Sequence, residues 1–326
     1  MQKLQRDLPN CQITWIIGKA EASLMTLLPN VELIVFDKKQ GKQAFKELRA
    51  KLHGRQFDAL LHLQANFRAN LVSLCISAKR RIGFAKERAR ELQWLFTNEK
   101  APISGEHVAE GFMDFATALG LKAEKPSWAM PIPTDLLEKM QAHKDQRPLL
   151  LLCPSASKAE RNWTTEGYCA LLQNAKERGF KTILVGGPAA IEVQLGQKIC
   201  ALAPVDENLI GQTRLTELLA LIKLADVLVS PDTGPAHMAT LVGTPVLGLY
   251  AAQTPARTGP YLSLEHVVNV YDEALLAETG KTVQEVSWRT RVKAKDAMTR
   301  IKVEDVLNNL EQLSSCIMKR NNLEPR

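Results

Sequence analysis

The run Val229-Ser230-Pro231-Asp232-Thr233-Gly234-Pro235-Ala236-His237-Met238-Ala239 brings a carboxylate, hydroxyls, a glycine and an imidazole into one short turn. An apolar stretch at 225–229 reads as a buried strand that breaks at Pro231. A helix is expected from about Pro235, whose fixed φ and missing N–H suit a first helical turn. Asp232 or Thr233 would cap it, and Gly234 would let a ligand approach the backbone closely. Free N–H groups and the helix dipole at such a point favour an anion, and His237 would add a donor beside it. The same spacing also suits an ordinary capped strand-to-helix turn.

A second loop, Pro154-Ser155-Ala156-Ser157-Lys158-Ala159-Glu160-Arg161-Asn162-Trp163, follows the aliphatic run 149–153 and leads into a helix capped by Thr164. Small hydroxyls (Ser155, Ser157) beside two cations (Lys158, Arg161) suit a diphosphate at the carboxyl end of a parallel strand. A solvated loop fits the pattern equally well. Gly186-Gly187-Pro188 matches neither a P-loop nor a dinucleotide fingerprint.

These loops need a scaffold, and the chain supplies alternating strand and helix patterns. Strands are expected at 12–17, 31–36, 57–63 and 81–84, with helices at 43–53, 68–77 and 107–119. After the prolines Pro126, Pro131 and Pro133 and a polar stretch at 143–147, read as a linker, a second series begins. Its strands are expected at 149–153, 181–185, 208–210, 226–229 and 246–250. Two βαβ series imply an α/β protein with two doubly wound, Rossmann-like domains facing a cleft: 1–145, and 146–326 with a C-terminal helix.

Composition bounds the chemistry. With 326 residues, 45% of them hydrophobic, the chain is long enough for two cores. Six scattered cysteines without a C-x-x-C pair suggest reduced thiols in a cytoplasmic protein, and the histidines show no metal-ligand spacing, so no metal is expected. The N-terminus is polar, and no apolar run approaches the ~18 residues of a membrane span. A net charge of +7 points to an anionic partner. Aromatic residues make up 6% and nucleic-acid-binding motifs are missing, which argues against a nucleic-acid partner.

The order P-S-A-S-K-x-x-R-x-W, V-G-G-P, S-P-D-T-G-P-A-H-M-A, G-T-P-V-L-G-L-Y resembles the ADP-heptose heptosyltransferases of lipopolysaccharide core synthesis, from about residue 9 to residue 310. The resemblance implies a GT-B fold and an inverting, metal-independent transfer of heptose from ADP-heptose to a Kdo–lipid A acceptor, with no cofactor. It implies contact with the cytoplasmic face of the inner membrane. Asp232, Thr233, Gly234 and His237 then fall on the donor-phosphate and heptose motif, and Ser157 on the phosphate loop. Arg161 stands where many members have lysine, Glu192 lies near a nucleoside contact, and Thr213 lies where adenine packs.

On the acceptor side the resemblance points to Gln64 and Arg68, in a Q-x-x-x-R pattern, and to His107 at the start of a helix. The basic run Lys79, Arg80, Arg81, Lys86, Arg88 and Arg90 reads as a clamp for acceptor phosphates and carboxylates, or as a solvated face. Members of the family open with a strand and an S-x-G-D-type loop that carries the general base. This sequence has no counterpart to either, so the first strand of domain 1–145 is expected to be missing and the base is unassigned. Asp7 is not expected to replace it. Other GT-B nucleotide-sugar transferases, or a catalytically impaired nucleotide-sugar-binding fragment, share the same architecture.

Overall fold

The computed structural model describes residues 1–156 and 158–320. The chain forms two compact units, Met1–Ser127 and a second starting at Trp128. Among the described residues all strand pairings are parallel. Among the described residues no helix is long and apolar enough to cross a membrane.

In the first unit, β1 (Ile13–Ile17) pairs with β2 (Val31–Val35) as a two-stranded sheet. A separate sheet has the order β3 (Phe57–Leu61), β4 (Ala78–Gly83), β5 (Glu99–Lys100). Ile34, Leu48 and Leu52 form a small core, with Ile16 and Phe57 of the two sheets packed against it. Among the described residues no ladder joins the β1–β2 pair to the β3–β4–β5 sheet.

The second unit carries one six-stranded sheet. Its strands are β6 (Leu149–Leu152), β7 (Lys181–Leu184), β8 (Glu207–Asn208), β9 (Val227–Pro231), β10 (Val246–Tyr250) and β11 (Val267–Asn269). Their order is β11-β10-β9-β6-β7-β8. The chain starts in the middle at β6, runs outward through β7 and β8, then crosses to β9, which is the doubly wound pattern. The four leucines of β6 are wholly buried, as a strand covered on both faces must be. Helix Val303–Arg320 packs on helix Thr165–Glu177 through the stripe Val306, Leu310, Leu313 and Ile317. The helix Gly234–Val242 stops at Gly243, whose φ of +76° is open to glycine at little cost.

The expected linker corrects to an integral part of the second unit, which moves the boundary from 145/146 to 127/128. Helix Thr134–Gln141 buries Met140 and packs on helix Leu215–Leu224, with Lys139 paired to Glu217 at 2.5 Å. The Trp128 ring lies edge-on to Tyr261 at 5.4 Å. Lys144 Nζ donates to Leu224 O at 2.7 Å and sits 3.4 Å from the Asp226 carboxylate. Clustered prolines mark this segment's turns, but its apolar side chains still need burial.

Candidate functional site

Three carboxyl-terminal strand ends, of β6, β9 and β10, converge on Asp232. The loop after β6 is held by its own side chains. Asn162 Oδ1 accepts from Ala156 N–H at 2.7 Å, and Tyr168 donates its hydroxyl proton to Pro154 O at 2.8 Å. Trp163 Nε1 donates to Ile301 O at 3.0 Å, and the Trp163 ring lies so close to Gly167 that a Cβ there would meet ring carbons at 2.5 Å. Burial pushes the neighbouring Cys153 thiol up to about 11, so it stays protonated and unreactive near neutral pH. The loop therefore presents Arg161 from a fixed base. Arg161 Nη1 lies 3.6 Å from Asp232 Oδ2.

Helix Gly234–Val242 starts at Thr233, which makes no side-chain hydrogen bond to the helix. Its hydroxyl is instead 2.6 Å from Ser230 Oγ. The expectation of a side-chain cap from Asp232 or Thr233 is thus corrected, and the first-turn N–H groups of this helix carry no side-chain cap. Gly234 and His237 are exposed, while Asp232 and Thr233 are half-buried. His237 Nε2 lies 3.7 Å from Asp232 Oδ1.

β10 brings what sequence reasoning missed. Gln253, 4% exposed, donates from Nε2 to Asp232 Oδ2. Its Oε1 accepts from Arg257 Nη1 and from Arg291 Nε, both at 3.0 Å. The Arg257 guanidinium lies over the Trp288 ring, 4.7 Å from its centroid. A cavity lined by Arg161, Asp232, Tyr250, Gln253 and Met298 opens here. Since β10 lies next to β9, the rule that ligands bind at strand carboxyl ends could have found Gln253; Arg291, from a distant loop, gave no such signal.

The other expected donor residues are spread around this point. Lys158 is exposed, 3.7 Å from Glu160, and Ser155 is buried with its hydroxyl donating to Ala156 O. Ser157 lies outside the described residues. Glu192 accepts from Gly187 N–H at 2.7 Å, which fixes the Gly186-Gly187-Pro188 turn. Thr213 carries a buried hydroxyl with no hydrogen-bond partner among the described residues. Nor do three or more His, Cys, Asp or Glu side chains there form a group able to hold a metal.

In the first unit three of the six cations of the expected clamp, Arg80, Arg81 and Arg88, are engaged within the protein. Arg80 makes two bonds to Glu99, Nε–Oε1 at 2.8 Å and Nη2–Oε2 at 2.7 Å, and holds that carboxyl below its ordinary range. Arg81 donates to Phe96 O, Ile76 O and Ser73 O. Arg88 is buried and donates to Gly105 O. His107 is the N-cap of helix Val108–Ala118, accepting from Ala109 N–H at 3.1 Å. The three arginines do structural work that their local sequence does not announce, while His107 opens its helix as expected. Gln64, Arg68 and Arg90 remain exposed near the carboxyl end of β3 and the loop after β4.

Residues 45–288 match the family described as glycosyltransferase family 9 (heptosyltransferase). The chain is 42% identical to the lipopolysaccharide core heptosyltransferase OpsX of Haemophilus influenzae, over 96% of this chain and 91% of that one. Among solved structures it resembles a family 9 glycosyltransferase from Veillonella parvula, with a TM-score of 0.76 and 20% identity, covering 96% of this chain and 91% of that one. It also resembles the ADP-heptose heptosyltransferase II of E. coli, with a TM-score of 0.71 and 20% identity, covering 97% and 93%. These likenesses show the fold, an α/β protein of GT-B type.

Proposed function

The chain belongs to glycosyltransferase family 9, the heptosyltransferases of the lipopolysaccharide core, and from that premise we propose a donor, an acceptor and a division of labour. The donor is ADP-heptose, bound in the second unit, and the acceptor is the Kdo–lipid A inner core, bound by the first at the cytoplasmic face of the inner membrane. The observation that carries the donor assignment is the uncapped start of helix Gly234–Val242 beside Arg161 and His237. Open N–H groups, an arginine and an imidazole donor together suit a diphosphate.

In the reaction the acceptor hydroxyl forms a new C–O bond to the anomeric carbon as the bond from that carbon to the diphosphate oxygen breaks. The hydroxyl proton passes to a carboxylate base that we leave unassigned. Negative charge grows on the departing ADP. On this reading the helix start, Arg161 and His237 stabilise that charge electrostatically, without a metal. Asp232 is held by Gln253 and sits between Arg161 and His237, so it orders both groups. Gln64, Arg68 and Arg90 are the acceptor residues on this reading, Glu192 and Thr213 the nucleoside side.

Asp232→Ala and His237→Ala each weaken ADP binding, measured by titration calorimetry, with little change in thermal unfolding. Wild-type affinity in both variants refutes the donor-site assignment.

A further inference from the structure

The first unit carries an exposed apolar surface that the transfer chemistry does not use. Helix Phe67–Ser73 and the 3₁₀ turn Gln93–Leu95 lie side by side, tied at both ends. At one end Asn70 Nδ2 donates to Glu91 O at 2.6 Å and the Glu91 carboxylate accepts from Phe67 N–H. At the other, the Arg81 guanidinium bridges Ser73 O at 2.8 Å and Phe96 O at 3.0 Å. On these two elements and their ends, Phe67 (51%), Leu74 (61%), Leu92 (51%), Trp94 (53%) and Leu95 (59%) are all about half or more exposed. Single exposed apolar residues are ordinary, but five on one pair of elements form a patch of the kind that marks an interaction site.

The turn is built to hold this exposure. Gln93, between Leu92 and Trp94, is wholly buried. Its Nε2 donates to His62 O at 2.8 Å and its Oε1 accepts from Phe84 N–H at 3.2 Å. Anchoring the middle residue inward leaves its neighbours outside. The backbone leading in is strained, with Glu91 at φ +48° and Leu92 at φ +65°, a region that disfavours a side chain as bulky as leucine. Ordinary folding would relax such a turn and bury the apolar groups. Strain of this kind is kept where surrounding bonds over-determine it, commonly at functional sites.

Exposed cations flank the patch. Arg68 follows Phe67, Arg90 leads into the strained pair, and Lys86 lies on the same loop, none of them in an ion pair among the described residues. Glu87 and Glu91 are the exposed acids nearby, against these three cations; the Glu91 carboxylate also accepts from Phe67 N–H. A tryptophan and leucines rimmed by cations match the two layers of an anionic lipid surface, apolar below and negatively charged above.

We propose that the surface formed by helix Phe67–Ser73 and the turn Gln93–Leu95 docks the protein on an anionic lipid bilayer. This rests on the reading of a lipid-borne acceptor given above, and refines it: contact is made by a rigid apolar turn rather than by the basic run 79–90 alone. With Arg68 and Arg90 at its edge, docking would set the acceptor-binding arginines at headgroup height.

The test is co-sedimentation of the full chain with vesicles of phosphatidylethanolamine and phosphatidylglycerol, with phosphatidylcholine vesicles as the neutral comparison. The double variant Trp94→Ser/Leu95→Ser should bind the anionic vesicles at least about tenfold more weakly, from lost apolar burial. Lys86→Gln should cost about fivefold, a loss that shrinks in high salt. Leu202→Ser, at an exposed apolar site in the second unit, should bind like the wild type. Heptose transfer to a deacylated, water-soluble Kdo acceptor should be unchanged in the double variant, which also shows that it is folded. Wild-type vesicle binding by the double variant overturns the proposal. So does a concentration-dependent dimer in light scattering that the double variant abolishes, because the patch would then join two copies of the chain. Failure of the wild type to use the soluble acceptor would count against the transfer reading alone, since vesicle binding is measured separately.

Discussion

Replacing Gln253 tests whether Asp232 must be held in place for the donor to bind. The amide bonds three ionised partners: Asp232 through Nε2, and Arg257 and Arg291 through Oε1 at 3.0 Å. Hydrogen bonds to charged groups contribute roughly 1.5–3 kcal/mol each when their loss leaves a partner unsatisfied. Arg291 is exposed and regains water, and Arg257, half-buried, keeps its place over the Trp288 ring, so little is lost at either arginine. The Asp232 side chain is 14% exposed and recovers less. The effective loss in Gln253→Ala is therefore about one such bond. If donor binding needs the Asp232 orientation, ADP affinity should fall about tenfold or more, since ~1.4 kcal/mol is one decade. Gln253→Glu sharpens the test. It keeps the acceptor for the arginines but sets a carboxylate against Asp232, where like charges within contact distance repel by several kcal/mol at an effective dielectric of about 20. Screening by the two arginines reduces that figure. Even so, Gln253→Glu should bind ADP more weakly than the wild type, although it differs by one atom pair. Titration calorimetry with ADP is the assay, with circular dichroism melts to confirm folding. Wild-type affinity in both variants would show that Asp232 needs no such support, and the positioning argument would fail.

Transfer from ADP-heptose should survive EDTA, because cations and helix N–H groups carry the leaving charge; loss of activity that Mg²⁺ restores would refute this. Acid should weaken the first unit. Arg55, donating to both carboxylate oxygens of Glu32 at 2.9 and 2.6 Å, and Thr14 hold that carboxyl at about 2 instead of 4.5. A depressed folded value stabilises at every pH above 4.5, and the contribution disappears as pH falls towards 2. Thermal unfolding should therefore drop across that window, and Arg55→Gln should flatten the drop; an unaltered profile rejects the role of this pair. In hydrogen exchange, amides of β1 and β3 that have no strand partner should exchange well before those of β6 and β9, which pair on both sides. Equal protection would mean that the divided sheet is not open at that point.

Much of the second unit was legible because its signals are strong and local. Leu149–Leu152, Val246–Tyr250 and Leu215–Leu224 have runs or periodicity that permit few alternatives, and Thr164 caps its helix as expected, accepting from Gly167 N–H at 3.0 Å. Helix Thr134–Gln141 was lost among prolines, since Pro133 at its N-cap reads equally as a turn. Helix Lys19–Met25 was lost because its seven residues are too short for a clear period. The short β5 and β11 pair only at the edges of their sheets, where neighbours rather than propensity define a strand.

The candidate site shows a different limit. The net charge of +7 calls for an anion, and the densest basic stretch, 79–90, is the natural place to look for its contacts. Yet Arg80, Arg81 and Arg88 are drawn inward by Glu99 and by backbone carbonyls that a loop-rich unit leaves without ladder partners. Clustering in sequence records where cations were placed, and partners decide which of them face a ligand. Around Asp232 the cations come singly, from positions 161, 257 and 291, and become a group only when β6, β9 and β10 bring their ends together. One neutral amide, Gln253, holds two of them beside a carboxylate without itself adding charge. A glutamate in its place would look like the better ion-pair partner for arginine, but it would cancel the charge that a departing diphosphate needs.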